Sequence, residues 1–171
     1  MSGAEIREEA EAFQQTFASL MLGSCSVDGQ PHVSYAPYVR DMEGAFYVYI
    51  SELAQHTGHL QANPRASIML IADEAATENM HARKRVTWQC RVEEIQRGDA
   101  VFPVIMDQMQ EVHGDVVQML RQLEDFHLFR LIPEDGRYVR GFAQAYRLEG
   151  IQGQPATPVR DRGHGRSESG S

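Results

Sequence analysis

Of the seven histidines in this 171-residue chain, His164 is placed most unusually, between Gly163 and Gly165 in a glycine- and proline-rich C-terminal stretch. An imidazole on such a tether can reach across a surface and deliver a nitrogen lone pair to a metal. A polar tail that simply contains a histidine fits the same residues, because chain termini gather disorder. His56 and His59 share a second segment. On a helix, His56 lies close in angle to Leu53 and Leu60 and should face inward or sit at an interface edge, while His59 turns toward solvent. His127 alternates with Phe126 and Leu128, which reads as barrel packing rather than metal binding. His81, beside Arg83, falls in a loop that could border a site, and His32 and His113 read as turn or surface residues.

Two arginine clusters could gather a small anion: Arg83, Lys84 and Arg85 in mid-chain, and Arg160, Arg162 and Arg166 near the end. A solvated basic patch is the alternative for either. Cys25 and Cys90 each lie in an apolar alternating stretch, where a free thiol behaves as a small buried hydrophobe, and neither belongs to a metal knuckle. The sequence has no phosphate-binding glycine loop, no Gly-x-Ser-x-Gly elbow and no His-Glu-x-x-His helix. Trp88, the single tryptophan, reads as a core anchor.

Hydrophobic residues make up 42% and charged residues 23%, the composition of a globular domain of ordinary size. With 16 Lys and Arg against 24 Asp and Glu, the net charge of -8 argues against nucleic acid or an anionic membrane surface as the main partner. No apolar run approaches membrane-spanning length, and the acidic start Met1 to Glu11 is helical in character rather than a signal peptide, so a cytoplasmic protein is expected.

The elements that must position these side chains follow from periodicity. Ile6, Ala10, Phe13 and Phe17 recur at helical spacing and predict an amphipathic helix from about Ala4 to Phe17. Leu20, Leu22, Cys25 and Val27 lead into Asp28-Gly29, a hairpin turn, with Val33 and Tyr35 on the return strand. Ala45 to Ile50 should complete a meander. Ser51 is expected to cap a short helix that Asn63-Pro64 ends. Strands follow at Ser67 to Ile71 and Val86 to Ile95. A helical stretch from about Asp99 to Leu123 breaks at His113-Gly114. Phe126 to Ile132 and Tyr138 to Leu148 are predicted as a final hairpin across a Pro133 to Gly136 turn. This order implies an α+β domain around a small antiparallel barrel over residues 1–148, able to pair with a second copy, and a flexible tail over 149–171.

The segment Ser51-Glu52-Leu53-Ala54-Gln55-His56-Thr57 through Leu60-Gln61-Ala62-Asn63-Pro64-Arg65-Ala66-Ser67 resembles the helix and following strand of the FMN-binding split-barrel family that includes pyridoxamine phosphate oxidase. Three further stretches, Ala82 to Thr87, Asp125 to Leu131 and Gly136 to Phe142, together with the terminal Gly-His-Gly, resemble its haem-utilisation branch, the HugZ and HutZ type. The resemblance implies a six-stranded antiparallel split β-barrel with flanking helices, homodimeric, that binds haem between subunits and opens the porphyrin with oxygen and an electron donor. It implies His164 as the iron ligand, Asp125 as its carboxylate partner, Arg85 as the arginine near the bound oxygen, and His56 as a histidine near the haem. Two alternatives stand beside it: an FMN-binding flavoprotein, for which the chain lacks a full set of basic residues around the flavin phosphate, and a haem carrier without turnover.

Overall fold

The computed structural model describes residues 1–160. Helix α1 spans Gly3–Gln14, opened by a capping box in which the Ser2 hydroxyl accepts from the Glu5 N–H and the Glu5 carboxylate accepts from the Ser2 N–H. It ends three residues before the predicted limit, and Phe17 packs on the core from the following turn. Strands β1 (Ser19–Cys25) and β2 (Pro31–Pro37) form the expected hairpin, with Gly29 at a φ of 85° that favours glycine.

The remaining strands are β3 (Val39–Arg40), β4 (Phe46–Ser51), β5 (Arg65–Ile71), β6 (Arg85–Ile95), β7 (Phe126–Gly141), β8 (Gln144–Glu149) and β9 (Thr157–Pro158). They make one antiparallel sheet in the order β2-β1-β5-β6-β7-β4-β3, with β8 beside β7 and β9 beside β8. The α+β class and the antiparallel sheet agree with expectation, but among the described residues the strand count is nine, not six. The meander is also corrected: β4 pairs with β3 and β7 rather than with β2.

The largest departure is β7. The predicted hairpin across Pro133 to Gly136 is a single strand of 16 residues, paired with β6 along its length, with β4 over its first half and with β8 over its second. Pro133 has no N–H to give a ladder, and Glu134 is left out of the register between Cys90↔Pro133 and Gln89↔Asp135. The proline therefore marks a bulge inside a strand, not a turn between two. Gly136 is there for closeness: a Cβ would run into the Trp88 ring on β6. The reversal comes later, at Phe142-Ala143, where Ala143 holds a φ of 56°.

Two cores result. The barrel interior is filled by Leu20, Leu22, Phe46, Ile68, Leu70, Val86, Trp88, Phe129 and Tyr138, each burial contributing about 1.5–3 kcal/mol for the aliphatic and Phe side chains. Trp88 is buried as expected, and its indole N–H donates to the Gln14 side chain at 2.8 Å. The second core lies under α3 (Val101–His113) and α4 (Val116–Leu120), where Phe102, Ile105, Met106 and Met109 pack on Tyr47 and Leu128. The break between these helices falls at Gly114 with a φ of 91°, as predicted.

The chain beyond Glu149, expected as a flexible tail, is tied back by backbone hydrogen bonds as far as Val159, with Ala156 its one buried residue among the described residues. The Gly150 N–H donates to the Glu134 carbonyl and that of Ala156 to Gly3, each at 2.9 Å, and Ala156 joins the barrel core.

Candidate functional site

Helix α2 (Gln55–Ala62) stands over the β1–β2 hairpin and carries two histidines one turn apart. Its cap is Ala54, not Ser51: Ser51 is the last residue of β4, held opposite Phe126, so the chain must turn a corner before a helix can begin. In that corner the Ser51 hydroxyl accepts from the Leu53 N–H, and Leu53 is 93% exposed rather than packed.

His56 is buried, as its angle on the helix required, and its Nδ1 lies 2.7 Å from the Ser34 hydroxyl. Burial, with smaller contributions from His32 and His59, holds the ring below its ordinary pKa. His59 Nδ1 lies 3.0 Å from the Ser24 hydroxyl, and its ring meets that of His32 edge-on at 5.3 Å. His32, expected as a turn or surface residue, is half-buried and joins a three-histidine group that the sequence did not reveal. Its only trace in sequence is alternation: Leu22 faces Ser34 and Ser24 faces His32 across β1 and β2.

His32 also lines a cleft of about 600 Å³ with Ser24, Cys25, Arg65, Ser67 and Gln89. Cys25 and Cys90 both border this cleft, Cys25 half-buried and Cys90 buried as expected. The neighbouring outer face of the hairpin is apolar and open, with Val33 78% and Tyr35 57% exposed.

Asp125 sits in the exposed turn that leads into β7, and its carbonyl accepts from the Glu52 N–H at 2.8 Å. That contact ties it to the corner from which α2 departs. His127 reinforces the corner: its Nε2 lies 2.7 Å from Glu52 and its Nδ1 2.9 Å from Glu94. The expectation of pure packing for His127 is thus corrected to a polar brace.

Arg85 is elsewhere. It opens β6, paired with Ile71 and Val139, and its Nη1 donates to the Arg83 carbonyl at 2.7 Å. Asp125 lies just beyond the far end of the same strand, where Ile95 faces Leu128. Ten residues of strand, about 33 Å, separate those ends. The structure therefore groups Asp125 with the α2 corner and does not bring Arg85 to them within one protomer. The basic cluster around Arg85 is engaged: Arg83 Nε donates to the Ala72 carbonyl at 2.6 Å, and the Lys84 ammonium lies 5.0 Å from the Phe13 ring centre. His113 ends α3 at the Gly114 turn, half-buried, and its Nε2 meets the Tyr38 carbonyl at 2.8 Å. His164 lies outside the described residues. Among the described residues no three His, Cys, Asp or Glu side chains converge to hold a metal ion, and no helix is long and apolar enough to cross a membrane.

Comparison with known proteins places this geometry. Residues 6–140 match the family model for pyridoxamine 5'-phosphate oxidase. The chain is 40% identical over 145 residues to the haem oxygenase HutZ of Vibrio cholerae serotype O1, covering 85% of this chain and 82% of that one. Among solved structures, HutZ from Vibrio cholerae, described as a haem storage protein, superposes with a TM-score of 0.70 at 39% identity, over 74% of this chain and 89% of that one. ChuZ from Campylobacter jejuni superposes with a TM-score of 0.81 at 31% identity, over 91% of this chain and 63% of that one. The chain therefore belongs to the pyridoxamine 5'-phosphate oxidase family and, within it, to the branch that contains HutZ.

Proposed function

We propose that this protein binds haem and degrades it by oxygen-dependent cleavage of the porphyrin, releasing iron. The observation that carries this reading is the 40% identity to a haem oxygenase across 85% of the chain. Haem is substrate here as well as cofactor, and its iron supplies the redox chemistry with oxygen and an electron donor.

The residues fit such a ligand. The open apolar face at Val33 and Tyr35 is the kind of surface a flat macrocycle covers, and Arg85 presents a charged fork suited to a propionate or a bound oxygen. His164 would supply a neutral imidazole to the iron. Asp125, accepting that ring's other N–H, would set its tautomer and raise its electron donation. His56, kept neutral by burial, would act as a hydrogen-bond partner rather than as a cation. The separation of Arg85 from Asp125 along β6 supports a site assembled from two protomers, as a homodimer with haem between subunits provides.

Titration of the purified protein with haem tests the reading. A shifted Soret band that His164→Ala moves or removes, and that reductant bleaches under oxygen, is the expected result. Bound haem that survives reductant and oxygen would leave a carrier. Yellow FMN retained through purification, with no Soret shift, would overturn the haem reading in favour of the flavoprotein that the family model also accommodates.

A further inference from the structure

Arg85 and Arg83 stand two residues apart and are used differently. The Arg85 guanidinium donates to the Arg83 carbonyl at 2.7 Å, and among the described residues no carboxylate pairs with it. It is held by backbone alone and keeps its charge and its remaining donors for an anion. Arg83 spends its fork on the chain itself: Nε donates to the Ala72 carbonyl at 2.6 Å, with Glu74 3.4 Å from Nη1. The Glu74 side chain is 72% exposed, so water screens that ion pair and the carbonyl bond is the firmer tie. Ala72 follows β5 and Lys84 precedes β6, and the Ala72 N–H donates to the Lys84 carbonyl at 2.9 Å. The Arg83 side chain thus adds a second bond to Ala72 across the mouth of the connection formed by residues 73–82, which holds short turns at Glu74–Ala76 and Met80–Ala82. Lys84, between the two arginines, turns instead to the rings of Phe13 and Tyr138, 5.0 and 5.8 Å from their centres.

We propose, resting on the reading of Arg85 as the arginine that serves a haem propionate or a bound oxygen, that Arg83 is a positioning residue for it. By tying its own peptide to Ala72, Arg83 fixes the carbonyl that aims the Arg85 guanidinium. A carbonyl acceptor is only as fixed as the peptide that carries it. With the side-chain bond gone, the peptide is held to Ala72 only through the Lys84 carbonyl, and the direction of the Arg85 fork loosens. Charged recognition depends on that direction, since a misplacement of about 1 Å can cost about a hundredfold in rate.

Full chains carrying Arg83→Gln, Arg85→Ala or both test this, with melting curves confirming the fold. Arg83→Lys places a methylene where Nε stands, keeping the charge but not that bond, and serves should Arg83→Gln fail to fold. In the haem-free protein, Arg83→Gln should speed amide exchange at Ala72. In the haem-loaded protein it should slow bleaching by reductant and oxygen roughly tenfold to a hundredfold. It should also move the haem dissociation constant or the carbon monoxide stretching frequency of the reduced complex toward the value for Arg85→Ala. A moved dissociation constant marks a propionate as the target of Arg85, and a moved frequency marks the bound gas; either supports the role. In the Arg85→Ala background, Arg83→Gln should cost nothing further. Unchanged exchange at Ala72, equal losses in both backgrounds, or a folded Arg83→Gln protein that matches the parent once loaded would overturn the positioning role. If Arg85→Ala alone leaves bleaching, affinity and frequency unchanged, the assignment of Arg85 falls instead, and this proposal with it.

Discussion

Burial decides how His56 titrates. In the unfolded chain the ring has its ordinary pKa of 6.5, and in the fold it lies lower because a charged imidazole under α2 loses its water. Between those two values the unfolded chain holds the extra proton, so stability rises with pH. The contribution is whole above about 6.5 and is lost as the pH falls below it. Urea midpoints from pH 5 to 7.5 should therefore slope less in His56→Gln than in the parent protein, by at most about 1.4 kcal/mol per pH unit. Identical slopes would show that His56 is not the group responsible. The two thiols differ in exposure. Burial, aided by the charge of Glu134, pushes the Cys90 thiol up to about 12, while Cys25 is only half-buried. A thiol reagent should modify one cysteine in the native protein and two after denaturation, and fast loss of both thiols in the native state would contradict this.

Among the elements, β7 ties the molecule together by serving β4, β6 and β8. Its continuity depends on Gly136, which lets the strand lie flat against Trp88. Gly136→Ala must push either the indole or the strand, at a cost of about 1–3 kcal/mol read from the denaturant midpoint. A midpoint equal to the parent's would mean that Trp88 moves freely. The Pro133 bulge explains why this strand was hard to read. Proline and glycine three residues apart match the local signature of a turn, and only the ladder with β6 shows that the chain passes straight through them.

For the whole molecule, the open apolar face of the β1–β2 hairpin sets the expectation. Under the homodimer proposed above, charges placed there, as in Val33→Glu together with Tyr35→Asp, should leave a monomer in analytical ultracentrifugation and remove haem binding, with the melting temperature little changed. A parent protein that is monomeric and still binds haem fully would count against a site shared between protomers.

Local pattern was enough for the α+β class, for the Asp28-Gly29 hairpin, for the helix break at Gly114 and for the burial of His56 and Trp88. Each of these rests on side-chain periodicity or on the backbone freedom of one residue, which neighbours in sequence already specify. Membership of the family and of the branch that contains HutZ was likewise visible in the chain. Only the tertiary structure decided that β7 is one strand, that His32 and His59 meet beneath α2, and that His127 braces Glu52 and Glu94. Those contacts join residues far apart along the chain. The strand register that brings them together is set by long-range pairing and packing, which no local window of sequence contains.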